Sequence, residues 1–211
     1  MNVRIHALTK VIRRKTVLDR VEAEFEPGVI YGVTGANGSG KTMLLRAICG
    51  FIRPTSGYVS IDDRPVEFNR RLPERIGIII ETPGFANHRT AWQNLTDLAE
   101  INGDFDEAET IRLLTLFELV EHRDDKVRSF SMGMRQKLAI VQALMEHQRI
   151  ILLDEPTNGL DRYAVHAFME EMRRQREQGR TILIASHHEM EITEIVDRMC
   201  VMDQGRLTMD G

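Results

Sequence analysis

The glycine-rich segment 35–42 brings three glycines, a lysine and two hydroxyl side chains together over eight residues. In order, it reads Gly35, Ala36, Asn37, Gly38, Ser39, Gly40, Lys41 and Thr42. This spacing fits the pattern G-x-x-x-x-G-K-S/T, in which glycines let backbone N–H groups approach phosphate oxygens. Lys41 is expected to neutralise the β- and γ-phosphates, and the Thr42 hydroxyl to bind Mg²⁺. Strand-like residues before the segment and helix-like residues after it favour a nucleotide site over a flexible turn.

Two adjacent carboxylates end a strongly apolar segment further along the chain. Residues 150–153 are Ile-Ile-Leu-Leu, and Asp154 and Glu155 follow directly. In open α/β sheets, ligands bind at the carboxyl ends of the strands, where a phosphate loop also lies. We therefore expect Asp154 to hold Mg²⁺, directly or through water, and Glu155 to act as general base on the attacking water. Acidic residues that end a strand are also common in turns, but the phosphate loop favours the catalytic interpretation.

Three further segments narrow the class of phosphate-binding protein. Residues 130–137 read Phe-Ser-Met-Gly-Met-Arg-Gln-Lys, residues 154–161 read Asp-Glu-Pro-Thr-Asn-Gly-Leu-Asp, and Ser186-His187 follows the apolar segment 181–185. They resemble, respectively, the signature motif, the Walker B motif with its D-loop, and the switch histidine of the ABC transporter ATPases. With the phosphate loop, four motifs stand in the family's order over essentially the whole chain. The resemblance implies an ATP-hydrolysing subunit that binds MgATP.

The resemblance also implies that the chain works as one half of a pair. Ser131 and Gly133 stand where a helix begins, which is a favourable place for an anion. In the family these positions bind the γ-phosphate held by a second nucleotide-binding subunit, so the pair encloses two ATP molecules. Ser131 is also a natural N-cap for the helix that follows, and the two roles are compatible. The resemblance assigns Asp161 to the opposite phosphate loop, and His187 to the γ-phosphate, where it would stabilise developing charge.

Two positions depart from the family's usual pattern. Glu81 follows the apolar segment 76–80, where most members have a metal-sensing glutamine. It resembles the bacitracin-resistance and lantibiotic-immunity branch, and we expect Glu81 to be a third Mg²⁺ ligand because a carboxylate binds cations more strongly than an amide. Ile12 aligns with the aromatic residue that stacks on adenine. Losing that stacking, worth about 1–3 kcal/mol, predicts modest affinity and poor discrimination between ATP and GTP.

The pattern of apolar residues predicts the elements that must position these side chains. Val3, Ile5 and Ala7 alternate with polar neighbours, as do residues 21–25, which is typical of half-buried strands. Continuous apolar runs predict buried strands at 29–33, 75–80, 150–153 and 181–185, with a short strand at 58–61 and a helix at 42–50. Between about 84 and 145 the apolar residues have helical spacing.

These elements predict one α/β domain over residues 1–211. We expect a P-loop NTPase (RecA-like) core with a mostly parallel sheet, since strands alternate with helices. An N-terminal antiparallel β subdomain precedes this core, and the resemblance makes the helical region at about 84–145 an inserted signature subdomain. Gly211 ends the sequence where many family members continue, so either a minimal domain or a longer protein is expected.

Composition restricts the classes of function. A net charge of −4 gives no basic field for nucleic acid, and the cluster Arg13, Arg14 and Lys15 is interpreted as a solvated face. The apolar runs are too short to span a bilayer, and the first residues lack a signal-peptide pattern. Transport therefore needs a separate integral membrane permease, and we expect a cytoplasmic subunit, peripheral on the inner face of the cell membrane.

The leading hypothesis is an ATPase that energises drug or peptide export or immunity through such a permease. Residues 83–98 are its expected docking surface, with Phe85 and Trp92 as contacts, although core packing explains Trp92 equally well. The alternative is a soluble ABC-type ATPase not linked to transport, which the lack of a heptad arm or a second domain disfavours. A P-loop kinase or GTPase gives no reason for the motif around Ser131. The membrane subunit selects the cargo, so this chain does not specify it.

Overall fold

The computed structural model describes residues 1–69, 76–81, 84–103, 105–187 and 192–209. Its strands form two sheets. The first is antiparallel, in the order β2-β1-β4-β5, and consists of β1 (Val3–Ile12), β2 (Lys15–Phe25), β4 (Ser56–Ile61) and β5 (Arg64–Pro65). The second has the order β10-β9-β3-β8-β7-β6 and consists of β3 (Val29–Thr34), β6 (Ile76–Ile79), β7 (Ile150–Asp154), β8 (Thr181–Ala185), β9 (Arg198–Asp203) and β10 (Arg206–Met209).

The second sheet is the predicted mostly parallel core. β3 lies between β8 and β9, and β7 lies between β8 and β6, with every one of these pairs parallel. Only β10 runs antiparallel, to β9. Because parallel strands end at the same edge, the segments after Thr34, Asp154 and Ala185 meet there. The sequence did not predict the hairpin of β9 and β10, in which Cys200 and Met202 are the buried residues.

The first sheet is the predicted antiparallel subdomain, with one correction to its alternation. Val3 and Ile5 are buried as expected, but Ala7 is exposed and has φ of 44°. The pairing of β1 with β2 shifts register between Ile5 and Leu8, so a bulge places Leu8 on the buried face instead. The prediction for Ala7 was therefore wrong, because a period-2 pattern assumes an unbroken register.

The helices occupy the predicted regions. α1 (Lys41–Ile48) follows β3, and α5 (Arg162–Glu177) connects β7 to β8. Between β6 and β7 lie α2 (Ala91–Asn102), α3 (Glu107–Leu116) and α4 (Met132–Leu144), with two short 3₁₀ segments, Val120–His122 and Val127–Ser129. α2 begins with a capping box made by Thr90 and Gln93.

Two apolar clusters cover the two faces of the parallel sheet. Ile151 and Leu153 join the cluster that contains the inserted helices, whereas Ile150 and Leu152 join the cluster of α1 and the antiparallel sheet. This division follows from the alternation of side chains along a strand. The loops at the carboxyl edge are therefore held between two packed layers. Within the described residues, no helix is both long and apolar enough to cross a membrane.

Candidate functional site

The phosphate loop connects β3 to α1 and packs closely against two other strands. Gly35 has φ of 146°, and a Cβ there would lie 2.1 Å from the Met202 carbonyl oxygen. Gly40 has φ of 120°, and its Cβ would lie 2.8 Å from the Val17 carbonyl oxygen. Both positions therefore require glycine for conformation and for space. The loop is held by β2 on one side and by β9 on the other.

Lys41 and Ser39 provide donors within this loop. The Lys41 ammonium donates to the carbonyl oxygens of Gly35 at 2.7 Å and Ala36 at 3.3 Å, and the residue is only 6% exposed. The buried Ser39 hydroxyl has no hydrogen-bond partner among the described residues. A buried polar group without a partner is costly unless a ligand or water satisfies it. These donors fit the phosphate chain of a nucleotide.

The two oxygen ligands predicted for magnesium lie against each other. The Thr42 hydroxyl, at the start of α1, donates to Asp154 Oδ2 at the end of β7 over 2.6 Å. Burial raises the pKa of Asp154, while the Thr42 hydrogen bond and the Lys41 ammonium act in the opposite direction. A hydroxyl and a carboxylate are hard oxygen donors of the kind Mg²⁺ prefers. The pair therefore fits the ion.

Glu155 and His187 are brought together from β7 and β8. The Glu155 Oε1 accepts the His187 backbone N–H at 2.8 Å and lies 2.7 Å from His187 Nδ1. The Ser186 hydroxyl donates to Oε2 at 3.2 Å. Glu155 has φ of 51°, a strained conformation for a residue with a side chain, and its own N–H donates to Ala185 O at 2.8 Å. His188 lies outside the described residues.

Two adjoining clefts collect most of the predicted site. One, of about 370 Å³, is lined by the phosphate loop together with Asp154 and Glu155. The other, of about 440 Å³, is lined by Ala36, Asn37 and His187 among others. The structure therefore assembles the phosphate loop, both carboxylates and the histidine at one edge of the sheet. Lys15 and Val17 of β2 also line the first cleft, which the sequence did not reveal.

Ile12 and Glu81 line neither of these two clefts. Ile12 ends β1 and is 40% exposed. Glu81 lines a separate cleft of about 360 Å³ beside α1, where its carboxylate is 2.6 Å from the Arg46 guanidinium. Its charge still acts on Asp154, whose pKa it helps to raise. The roles of Ile12 at adenine and Glu81 at magnesium stay predictions.

Ser131, Gly133 and Asp161 also line neither of the two phosphate-loop clefts. Ser131 is exposed at the start of α4, where its hydroxyl accepts the Met134 N–H at 3.2 Å as an N-cap. Asp161 caps α5 through the Ala164 N–H at 2.8 Å. That hydrogen bond, and the neighbouring Lys137 ammonium, hold the pKa of Asp161 below its usual value. Their contacts with a second subunit stay predictions.

The start of α4 is fastened to the segment that carries Glu155. The Gln136 amide donates to the carbonyl oxygens of Pro156 at 2.9 Å and Glu155 at 3.4 Å. Lys137 lies 3.2 Å from the Asp161 carboxylate. Gln136 and Lys137 belong to the motif around Ser131, but neither was singled out from the sequence, because these contacts join segments about twenty residues apart.

The expected docking residues are partly buried. Phe85 and Trp92 both pack against the apolar cluster of the inserted helices. The Trp92 ring also meets Phe105 edge to face, with centroids 5.6 Å apart, and Arg123 lies 5.8 Å from its centroid. These contacts favour core packing for Trp92. Pro83, the first residue of the predicted surface, lies outside the described residues.

Comparisons with known proteins agree with this geometry. The family model described as "ABC transporter" matches residues 18–158. The chain is 39% identical over 200 residues to the uncharacterized ABC transporter ATP-binding protein YybJ of Bacillus subtilis (strain 168), covering 95% of this chain and 92% of that protein. It is 36% identical to the bacitracin transport ATP-binding protein BcrA of Bacillus licheniformis, covering 95% of this chain and 66% of BcrA.

A lantibiotic transport ATP-binding protein, SrtF of Streptococcus pyogenes, is 30% identical, with 99% of this chain and 90% of SrtF covered. Among solved structures, an ATP-binding subunit of an ABC transporter superposes with a TM-score of 0.88 at 27% identity, covering 100% of this chain and 90% of that one. The fold, the phosphate loop and these relatives lead to one conclusion. The chain belongs to the ABC transporter family, as an ATP-binding subunit.

Proposed function

We propose that the chain binds MgATP and hydrolyses it to energise the export of drugs or peptides, or immunity to them, through a separate integral membrane permease. The observation that carries the catalytic part is the Glu155–His187 contact beside a phosphate loop. The Glu155 carboxylate accepts the His187 backbone N–H and contacts the His187 ring Nδ1, and it lies next to a cleft with Lys41 and Asp154, so it is placed to act on water. The single ABC ATPase domain over residues 1–211 is part of this proposal.

The chain's own residues divide the work of hydrolysis. Lys41 and the N–H groups of the phosphate loop bind the β- and γ-phosphates, and Thr42 and Asp154 would hold Mg²⁺. The ion supplies positive charge that offsets the charge of the transferred phosphoryl group. Glu155 accepts a proton from the attacking water at a carboxylate oxygen. His187 orients Glu155 through its N–H and stabilises charge at the γ-phosphate.

A second nucleotide-binding subunit completes each site in this proposal. Ser131 is exposed at the start of α4 and lines neither phosphate-loop cleft, so its anion-binding end is available to another chain. Two subunits arranged head to tail, as a homodimer or pseudo-dimer, would each offer Ser131 and Gly133 to the other's γ-phosphate. Asp161 would then contact the opposite phosphate loop.

The similarity to proteins named for bacitracin and lantibiotic transport supports the proposed export of peptide antibiotics. Glu81, in the branch-specific position, agrees with this assignment. The chain spans about two thirds of BcrA, so activities of that longer protein enter only as a proposal. We propose a cytoplasmic location, peripheral on the inner face of the cell membrane, where the permease would recruit the chain.

Glu155→Gln tests the catalytic proposal, because it removes the charge but keeps an oxygen that can accept the His187 N–H. We expect ATP hydrolysis to fall by about 100- to 10,000-fold, the usual contribution of a general base. ATP should then drive the variant into a dimer that size-exclusion chromatography detects. Glu177→Gln, the same change on an exposed residue at the end of α5, is the matched control. A Glu155→Gln monomer that hydrolyses ATP at the wild-type rate would refute the proposal.

A further inference from the structure

Three consecutive cations, Arg13, Arg14 and Lys15, occupy the end of the β1–β2 hairpin beside the nucleotide cleft. Arg13 and Arg14 have φ of 45° and 67° and connect the paired residues Ile12 and Lys15. Positive φ at both central residues is the mark of a type I′ turn, whose two-residue length fixes the register of the strands. The turn therefore fixes the pairing of Ile12 with Lys15.

This register places Lys15 and Ile12 on the same face. Residues directly opposite in an antiparallel pair share a face, and so do residues two apart along a strand. Lys15 and Val17 both line the cleft of the phosphate loop. The register shifts between Lys10 and Val11, so Val17 lies at a bulge of β2. Ile12 is paired with Lys15, so the apolar Ile12 side chain and the Lys15 ammonium lie on the same face. The close packing of Gly40 on the Val17 carbonyl holds this strand against the loop.

The cations at this turn lack a carboxylate ion-pair partner among the described residues. Within the part of the chain that the structure describes, none of Arg13, Arg14 and Lys15 forms an ion pair or a side-chain hydrogen bond. Other basic side chains of the first sheet do have partners: Arg4 pairs with Glu24 and Asp63, and the Lys10 ammonium donates to Arg53 O at 2.6 Å. Three adjacent uncompensated charges repel one another and raise the local positive potential. A bound anion relieves that repulsion.

We propose that Lys15 binds a phosphate oxygen of the nucleotide, with Arg13 and Arg14 forming a cationic rim that attracts the phosphate chain. This inference rests on the proposed function, since it requires ATP in the cleft that Lys15 lines. Ile12 cannot stack on the base as an aromatic residue would. The affinity lost there is supplied instead by the attraction between these cations and the phosphates. Recognition at the hairpin is therefore independent of the base.

The test is the dissociation constant for MgATP and MgGTP, measured by calorimetry on the wild type and on Lys15→Met. We expect Lys15→Met to weaken both nucleotides equally, by about tenfold, equivalent to about 1.4 kcal/mol. The loss should shrink when salt is raised from about 0.05 to about 0.5 M, because salt screens exposed charges. Lys10→Met, which removes the same charge from the same hairpin but away from the cleft, should change affinity by less than twofold. Lys15→Arg should restore binding.

Two outcomes overturn the inference: Lys15→Met binding within twofold of the wild type, or a loss confined to one of the two bases. Lys15 is exposed, so Lys15→Met should keep the fold, and circular dichroism of the variant checks this. Lys41→Ala separates this inference from the proposed function. If wild-type protein binds MgATP and Lys41→Ala does not, the nucleotide site stands whatever Lys15→Met shows. If the wild type fails to bind MgATP, the proposed function itself fails.

Discussion

Gln136 is the side chain whose replacement most directly tests how α4 positions Glu155, the proposed general base. Its amide donates to the carbonyl oxygens of Pro156 at 2.9 Å and Glu155 at 3.4 Å. Glu155 itself has φ of 51°, and such conformations cost a residue with a side chain about 1–3 kcal/mol unless the surroundings hold them. We therefore expect Gln136 to act as a positioning residue for Glu155.

Gln136→Leu keeps most of the side-chain volume and removes both donors. The 2.9 Å bond is of ordinary length and contributes about 0.5–1.5 kcal/mol, while the 3.4 Å contact is near the limit for a hydrogen bond and adds little. A loss of about 1 kcal/mol in catalytic geometry corresponds to a factor of about 5 in rate. We expect kcat for ATP to fall by about that factor, with the dissociation constant for ATP unchanged, because Gln136 does not line the phosphate cleft.

Steady-state ATPase assays combined with thermal unfolding separate positioning from stability. A loss of about 1 kcal/mol of stability lowers the melting temperature by about 2–4 °C in a chain of this size. Gln136→Glu, which replaces the donor by a charge facing two carbonyl oxygens, should lower kcat further. A Gln136→Leu variant with a reduced melting temperature but wild-type kcat would show that the contact is structural only, and would refute the reasoning.

Three further variants give distinct outcomes. Asp154→Asn should raise the melting temperature of the nucleotide-free protein at pH 7, because burial raises the pKa of Asp154 and the ionised form therefore costs stability. The wild type regains that stability on acidification. Calorimetry should therefore show the difference in melting temperature between variant and wild type vanishing near pH 4. Glu81→Gln should leave the melting temperature nearly unchanged, since exposed ion pairs contribute about 0–1 kcal/mol. It should, however, shift the magnesium concentration that half-saturates ATPase activity. An unaltered ATPase rate, metal dependence and coupling to transport would contradict a role for Glu81. Gly35→Ala should abolish ATP binding in calorimetry, because its Cβ would lie 2.1 Å from Met202 O. Gly84→Ala, whose Cβ would have no described atom within 4 Å, should bind normally.

Local motifs and periodicity were enough to predict much of the fold. Short contiguous segments were sufficient for the phosphate loop, for the carboxylates of Asp154 and Glu155, and for the buried strands β7 and β8. In each segment the residue types predict whether the side chains are buried or bind a ligand. The order of strands and helices then leads to a mostly parallel sheet, which brings Lys41, Asp154 and Glu155 to one edge. For these residues, spacing along the chain and the rules of sheet topology were sufficient to predict that they lie close together.

Other features depended on packing between segments distant in the sequence. The bulge that exposes Ala7 and the C-terminal hairpin are not visible in apolar periodicity, because register is determined by pairing partners. From the sequence alone, the basic cluster at Arg13 indicates an ordinary solvated face. Only the tertiary structure places the neighbouring Lys15 in the cleft of the phosphate loop.

Residue types and their spacing predict which groups can bind phosphate and magnesium, whereas the contacts between those groups and the rest of the chain follow from packing. The donors and carboxylates that suit phosphate and magnesium occur in short contiguous motifs, so residue type and spacing identify them. The hydrogen bond from Gln136 to Pro156, the ion pair between Glu81 and Arg46, and the position of Lys15 each join residues from different elements. Such contacts arise when the elements pack together, and no local pattern in the sequence encodes them.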